Sequence, residues 1–370
     1  MLLLDGPVIA GITRGTVPPG AVVVDLPDTT LLPGLIDTHV HLAFDASADP
    51  VAALAARDDD AALTAMTAAA RTALDAGITT VRDLGDRDYL SLRLRDSPGL
   101  PTIVAAGPPI TTPAGHCHFL GGATGPAPED LRAAVRERAG RGVDVIKVMA
   151  SGGTMTPGTR QEVAQFTAGQ LTVIVDEAHR LGLPVTAHAH GTGAIRAALD
   201  AGVDGMEHVS FWSADGVDDP GDLLGRIVDS RVAVGVTAGT APVPGAAPPA
   251  AVARRIPRVV ANTRAMAEAG ARLLIGSDAG IGPTKPHDVL RYALAQTAMI
   301  GLDAASALCM ATSAAAEACG LGHRKGRLAP GFDADVVAVR ADPLADLAAL
   351  EQVVAVFARG VGVVGAPHAR

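Results

Sequence analysis

The chain has 370 residues, of which 48% are hydrophobic and 19% are charged. This composition disfavours a disordered chain and provides enough apolar surface for a large core. The formal net charge of −9 disfavours a nucleic-acid-binding protein, which would need clustered lysine and arginine. Three cysteines do not make a disulfide framework. Neither a secretory signal pattern nor a membrane-spanning apolar run is present in the sequence, so we expect a cytoplasmic protein.

Eight short apolar runs rich in β-branched residues recur along the chain, each followed by a longer alanine-rich stretch suited to a helix. They lie at residues 31–37, 78–84, 102–106, 143–149, 184–187, 204–207, 231–236 and 272–277. Alternating strands and helices predict a parallel sheet, and eight such units over about 250 residues predict an α/β fold of the (β/α)8 TIM-barrel type. An open doubly wound sheet is the alternative, but it would need a glycine-rich phosphate turn after an early strand.

The two ends of the chain differ from this pattern. They consist of short valine-rich segments with glycine and proline turns, as at residues 21–25 and 335–339. We expect both ends to pair as antiparallel strands in one small, sandwich-like accessory β-sheet domain. The predicted domains are therefore a composite β domain of residues 1–33 and 326–370 and a barrel of residues 34–325. Residues 241–257, rich in proline, alanine and glycine, are predicted to form a long loop at the catalytic face.

Six candidate metal ligands fall within or directly after the predicted strands. His39 and His41 end the first strand, and their i, i+2 spacing puts both imidazoles on one face. A barrel gathers the carboxyl ends of its strands around one axis, so residues far apart in sequence converge there. Imidazole and carboxylate ligands suit Zn²⁺ and similar ions. The full set is His39, His41, Lys147, His188, His208 and Asp278.

Each of these positions alone has an ordinary structural explanation. A lone histidine at a strand end is more often a hydrogen-bonded structural residue, and an aspartate there is often a helix N-cap. Lys147 is different, because an ammonium inside the apolar segment 145–149 is costly unless it is paired or chemically changed. The occurrence of all six positions in order therefore indicates a metal centre.

At these positions the sequence resembles the amidohydrolase superfamily, in particular its branch of imidazolonepropionase-like, Xaa-Pro dipeptidase-like and ochratoxin-degrading enzymes. The resemblance covers nearly the whole chain. The Lys-Val-Met-Ala-Ser-Gly-Gly and Ala-His-Ala-His-Gly motifs are specific to the branch, whereas His-x-His and Gly-Ser-Asp occur throughout the superfamily. The segments that carry the resemblance are 32–41, 77–83, 146–153, 187–191, 207–208, 276–278 and 331–337.

The resemblance implies a binuclear metal centre. It assigns His39, His41 and Asp278 to the more buried metal, and His188 and His208 to the more exposed one. Lys147, carboxylated on its amine by carbon dioxide, would bridge both metals. Zinc is the expected metal, with manganese or cobalt as alternatives.

The resemblance also implies catalytic roles. A water between the metals would become the nucleophile, and Asp278 would carry its proton to the leaving amine. The more exposed metal would polarise the scissile carbonyl, helped by His116 as oxyanion partner. The chain has Ala-Gly-His at 114–116 where the family usually has Gly-Gly-His, so His118 and His190 remain alternatives for this role.

The leading functional interpretation is hydrolysis of an amide or peptide bond in a small molecule or peptide, such as an N-acyl amino acid or Xaa-Pro dipeptide. Alternatives are a cyclic amidase or imidazolonepropionase-like ring hydrolase, and a peptidase that tailors a natural-product peptide. A non-catalytic scaffold is disfavoured because all six ligand positions are present. Arg82, Arg160 and Lys285 are candidates to bind a substrate carboxylate, without a choice among them. We expect no nucleic-acid or membrane partner, and homo-oligomerisation is left open.

Overall fold

The structure is a computed structural model that describes residues 1–95 and 97–365. Its strands are β1 (Leu2–Asp5), β2 (Val8–Ile12), β3 (Thr29–Pro33), β4 (Leu35–Val40), β5 (Ile78–Asp83), β6 (Thr102–Ala105), β7 (Ile146–Met149), β8 (Val185–Gly191), β9 (Gly205–Ser213), β10 (Gly216–Val217), β11 (Ala233–Thr237), β12 (Leu273–Gly276), β13 (Val336–Arg340), β14 (Val353–Ala358) and β15 (Val361–Val364). Its α-helices are α1 (Pro50–Ala55), α2 (Asp59–Asp75), α3 (Leu90–Leu94), α4 (Pro128–Arg141), α5 (Ala168–Arg180), α6 (Thr192–Ala201), α7 (Asp222–Ser230), α8 (Ala250–Ala253), α9 (Ile256–Glu268), α10 (Leu290–Gln296), α11 (Ala304–Met310) and α12 (Ser313–Ala318). Short 3-10 helices occupy His118–Leu120, Thr297–Ile300 and Leu347–Glu351.

Parallel strands make up the centre of the molecule. β4, β5 and β6 form one parallel sheet in chain order, and β7, β8, β9, β11 and β12 form a second one, with β10 added to β9 as a hairpin. Each of the eight predicted runs overlaps one of these parallel strands. Helices lie between successive strands because a parallel connection has to cross from one end of the sheet to the other. The prediction of an α/β fold with a parallel sheet is confirmed.

Isolated parallel bridges connect the two sheets at both edges. Val40 pairs with Ala279, just after β12, and Ile110 pairs with Val148 in β7. The carboxyl ends of β4 and β12 therefore lie side by side, although the two strands are far apart in the sequence. The same holds for the segment after β6 and strand β7.

Alanine-rich helices cover these strands, as α2 illustrates. The helix begins after Asp58, whose side chain accepts a hydrogen bond of 2.9 Å from the Ala61 N–H, a typical N-cap. Its inner face buries Met66 and Leu74 completely, and each such side chain stabilises the fold by about 1.5–3 kcal/mol. No helix in the described parts of the chain combines the length and apolar character needed to cross a membrane.

Segments from both ends of the chain pair antiparallel. β3 pairs with β13, which continues through β14 to β15, and β1 and β2 form a separate hairpin. β13 confirms the predicted strand at 335–339, but the predicted strand at 21–25 is wrong, because the described chain has no strand between Ile12 and Thr29. Val22 and Val23 are 73% and 61% exposed. This β-branched run has no neighbouring strand against which to bury its side chains.

The segment at 241–257, predicted as a loop, is partly helical. Its irregular part ends at Pro249, after which come α8 and the start of α9 at Ile256. Pro257 lies in the first turn of α9, where the missing N–H of proline removes no helical hydrogen bond. The prolines of this segment therefore occur at the start of a helix as well as in irregular chain.

Candidate metal centre

All six predicted ligands lie together, within or directly after the parallel strands. The ring centroid of His39 is 5.2 Å from that of His41 and 5.2 Å from that of His208. Asp278 and His208 have φ angles of +56° and +75°, a left-handed backbone that costs about 1–3 kcal/mol in residues other than glycine. In chain order the set is His39 in β4, His41 just after it, Lys147 in β7, His188 in β8, His208 in β9 and Asp278 after β12.

The first cluster consists of His39, His41 and Asp278. The Nε2 atoms of the two histidines lie 3.5 Å and 3.4 Å from Asp278 Oδ1. His41 Nδ1 lies 3.2 Å from the carbonyl oxygen of Gly85, which can only accept, so the neutral ring has its proton on Nδ1 and a lone pair on Nε2. His39 Nδ1 similarly lies 3.0 Å from the Glu207 carboxylate. Both Nε2 lone pairs therefore face the Asp278 carboxylate, an arrangement that suits a cation between them.

The second cluster consists of His188 and His208. His188 Nδ1 lies 3.0 Å from His208 Nε2, while His188 Nε2 donates to the carbonyl oxygen of Gly152 at 3.1 Å. His208 Nδ1 lies 2.7 Å from Thr237 Oγ1. Burial, followed by the charges of neighbouring histidines, holds the pKa of both His188 and His208 well below the usual range. Both rings are therefore neutral near pH 7, which is the form that binds metals.

Lys147 is buried beside both clusters. Its side chain is 1% exposed, and among the described residues its Nζ has no hydrogen-bond partner. Burial lowers the pKa of Lys147 from 10.5 to about 8, against the opposing charges of Glu207 and Asp278. A buried amine without a partner is costly in an apolar strand. The amine therefore lacks the partner that a buried charge requires.

His116 lies over the second cluster, and Gly153 makes its position possible. The His116 ring centroid is 4.8 Å from that of His188, and its Nδ1 is buried without a hydrogen-bond partner in the described chain. A Cβ atom on Gly153 would lie 2.2 Å from His116 Nε2, so only glycine fits there. Burial lowers the pKa of His116 to about 4, so its ring is neutral near pH 7.

The two alternatives to His116 are placed differently. His118 is exposed, and its Nδ1 lies 3.0 Å from the carbonyl oxygen of Gly115. His190 stacks on His208 with ring centroids 4.1 Å apart, and its side chain joins His188 and His208 in a group of nitrogens close enough to share an ion. His190 therefore belongs to the centre, whereas the ring of His118 turns back toward its own loop.

The sequence analysis did not identify the carboxylate that orients His39 in the first cluster. Glu207 is 1% exposed and accepts hydrogen bonds from His39, from Arg82 Nη2 at 2.9 Å and from Thr186 Oγ1 at 2.7 Å. A Cβ atom on Gly235 would lie 2.0 Å from Glu207 Oε2. A charged residue in the middle of a buried strand was the available signal, as it was for Lys147. Glu207 fixes the tautomer of His39, as partners behind metal ligands commonly do.

This network also changes the interpretation of the basic residues considered for a substrate carboxylate. Arg82 is buried, and its guanidinium is committed to Glu207 and to the carbonyl oxygen of Thr38. Lys285 Nζ donates to the carbonyl oxygen of Ser277 at 2.8 Å and thereby ties its loop to the end of β12. The side chain of Arg160 is 70% exposed. None of these three has the environment expected of a preformed carboxylate site.

The donor set fits divalent metal ions. Imidazole nitrogens and the Asp278 carboxylate form two adjoining groups, and the buried Lys147 amine beside them has no hydrogen-bond partner in the described chain. Burial raises the pKa of Asp278, but the charge that His39 acquires at low pH, together with neighbouring His41 and Lys285, lowers it by more. The pKa therefore lies below its usual range, and the carboxylate is ionised near pH 7. Nitrogen and oxygen donors of this kind suit zinc and similar ions.

Comparison with known sequences gives partial relatives. The chain is 33% identical to ochratoxinase from Aspergillus niger over 209 residues, which cover 49% of this chain and 43% of that protein. The match thus spans less than half the length of that relative. An uncharacterized protein of Mycobacterium bovis is 27% identical over 287 residues, which cover 75% of this chain and 71% of that protein.

Solved structures match over nearly the whole chain. A Xaa-Pro dipeptidase with methionine bound in its active site is 25% identical, with a TM-score of 0.82 covering 98% of this chain and 94% of that one. A putative prolidase from Bifidobacterium longum is 29% identical, with a TM-score of 0.78 covering 99% and 89%. The profile of the amidohydrolase family matches residues 30–363, which confirms the resemblance seen in the sequence. This chain belongs to the amidohydrolase family.

Proposed function

We propose that this chain is a binuclear metal-dependent hydrolase that cleaves an amide or peptide bond in a small molecule or peptide. One observation carries the proposal: two groups of imidazole nitrogens and carboxylate oxygens, each close enough to share an ion, adjoin each other beside a buried lysine whose amine has no hydrogen-bond partner among the described residues. The similarity to ochratoxinase and to prolidase structures supports amide-bond chemistry.

The ligands divide between two ions. His39, His41 and Asp278 would hold one ion, and His188 and His208 the other. Lys147 as an N-carboxylated lysine would bridge them, which would replace an unpaired cation by an anion with two oxygens. Zinc is the proposed metal, with manganese or cobalt as alternatives, because imidazole ligands predominate. Bound divalent ions supply a nucleophile from water at neutral pH and polarise the scissile carbonyl.

Three side chains have further roles in the proposed reaction. The ionised Asp278 carboxylate accepts the proton of the attacking water and delivers it to the leaving nitrogen. The neutral ring of His116, buried with no hydrogen-bond partner for Nδ1 among the described residues, donates a hydrogen bond to the oxygen of the scissile carbonyl as its charge develops. Glu207 keeps the Nδ1 proton on His39 and so keeps Nε2 available as a ligand.

The scaffold that holds these groups is proposed to be a closed (β/α)8 barrel of residues 34–325. The bridges between Val40 and Ala279 and between Ile110 and Val148 support closure, because they connect the edges of the two parallel sheets. The pairing of β3 with β13 supports a composite accessory domain of residues 1–33 and 326–370. Residues 366–370 lie outside the described part of the chain.

Substrates with a carboxylate beside the scissile amide, such as N-acyl amino acids or Xaa-Pro dipeptides, are the first class to test. The similarity to a Xaa-Pro dipeptidase structure supports this choice. Ring hydrolysis of a cyclic amide is the second class.

Protein purified without chelator is analysed for metal and then assayed on both substrate classes with zinc or manganese added. We expect close to two divalent ions per chain and turnover of an acyclic amide. An active protein with a metal ratio near zero would contradict the proposal. Turnover confined to cyclic amides would favour the ring hydrolase instead.

A further inference from the structure

Trp212, the single tryptophan of the sequence, lies next to the second cluster. Its ring centroid is 6.0 Å from that of His190, which stacks on His208 with ring planes 13° apart. His190 is fixed on both sides, because Nδ1 lies 2.7 Å from Ser210 Oγ and Nε2 lies 3.3 Å from Gln161 Nε2. Only one fixed ring therefore separates Trp212 from the candidate metal ligands.

Arg255 lies over the Trp212 ring, with its Cζ 4.6 Å from the ring centroid. Its Nε donates to the carbonyl oxygen of Gly216 at 3.1 Å and its Nη1 donates to that of Ala251 at 3.0 Å. Its Nη2 has no hydrogen-bond partner, and its guanidinium has no ion pair, within residues 1–95 and 97–365. Arg255 is thus a half-buried cation that is held in place and lacks a counter-charge.

A fixed guanidinium beside an aromatic face has a defined chemical preference. The planar group binds a carboxylate through directed N–H bonds, and the ring orders it by cation–π contact. The indole face itself favours apolar or aromatic surface. The two side chains together therefore match a ligand with a carboxylate next to an apolar body.

We propose that Arg255 and Trp212 form a subsite that binds a carboxylate of the substrate, with an apolar or aromatic group packed on the indole. This subsite rests on the proposed function for the bond that is cleaved. The proposed substrates are therefore amides that carry a carboxylate group. The subsite also replaces Arg82, Arg160 and Lys285 as the basic partner of the substrate.

The chain offers a binding test that needs no turnover, because all tryptophan fluorescence comes from Trp212. Zinc-loaded full-length protein is titrated with 3-phenylpropanoate and, separately, with the uncharged 3-phenylpropanol. We expect 3-phenylpropanoate to bind about tenfold more tightly than 3-phenylpropanol, because one hydrogen bond to a charged group contributes about that much affinity. In Arg255→Gln this preference should vanish. In Arg254→Gln, an exposed neighbour, it should persist.

A carboxylate bound by the metals alone would keep its preference in Arg255→Gln, and that result would overturn the subsite. The absence of any fluorescence response to the carboxylate would overturn it as well. With N-acyl amino acids, Arg255→Gln should raise KM about tenfold and leave kcat nearly unchanged. Failure of the proposed function would appear separately, as a missing metal or missing turnover in protein that still shows the fluorescence preference.

Discussion

Replacing Lys147 by methionine should stabilise the metal-free protein near neutral pH. The amine is 1% exposed and has no partner within the described chain, and burial lowers its pKa from 10.5 to about 8. The unfolded chain then holds the proton more tightly than the folded one, so the free energy of unfolding falls as the pH drops from 10.5 to 8. At about 1.4 kcal/mol per unit, the full loss is about 3 kcal/mol. Methionine preserves most of the volume without the charge.

Urea unfolding of chelator-treated protein in carbonate-free buffer at pH 7 and pH 10 measures this effect. Relative to Lys147→Met, the wild type should gain most of the 3 kcal/mol on going to pH 10. Arg160→Met is the control, because it removes a cation whose side chain is 70% exposed. It should leave the pH dependence of the wild type intact. The same pH dependence in wild type and Lys147→Met would refute the reasoning, since the amine would then be solvated or paired in the folded protein.

Three further outcomes are expected. Asp278→Asn should lower turnover at least about 10²-fold, because the proton acceptor is lost; steady-state assays on the best substrate measure this, and normal turnover would contradict the assigned role. Lys147→Ala should lose bound metal and most activity, with partial recovery in acetate or propionate but none in Lys147→Arg; full activity without added carboxylate would count against a bridging lysine. Glu207→Gln should lower metal affinity about 10–100-fold, as measured by competition with a chelator. Unchanged affinity would show that the Glu207 carboxylate is not needed to fix the tautomer of His39.

Much of the fold could be predicted because parallel strands are buried on both faces. Such strands read as continuous apolar, β-branched runs, and all eight runs overlap parallel strands in the structure. The segment at 21–25 has the same local composition but forms no strand. β-Strand propensity indicates which residues tolerate an extended backbone, whereas a strand also needs a neighbouring strand to pair with. Nothing in the valines themselves indicates whether another part of the chain will lie beside them.

The candidate ligands could be predicted because each is a chemically distinctive residue within or directly after a predicted strand. The groups that orient them could not. Arg82 and Glu207 are 125 residues apart in the sequence, and their pairing depends on how the two parallel sheets meet. The carbonyl oxygens of Gly85 and Gly152, which fix the protons of His41 and His188, belong to the backbone and leave no mark in the sequence.

The protein itself fixes the orientation of the candidate ligands. In His39, His41 and His188 one ring nitrogen is committed to a protein acceptor, so the other nitrogen faces the centre without a proton. In the first cluster the bare nitrogens of His39 and His41 face the Asp278 carboxylate and repel it, and the surrounding fold has to hold them against this repulsion. An ion that binds the folded chain alone removes the repulsion and stabilises the fold in proportion to the logarithm of its concentration. Metal affinity and folding stability should therefore change together when the acceptor behind any of these rings is altered.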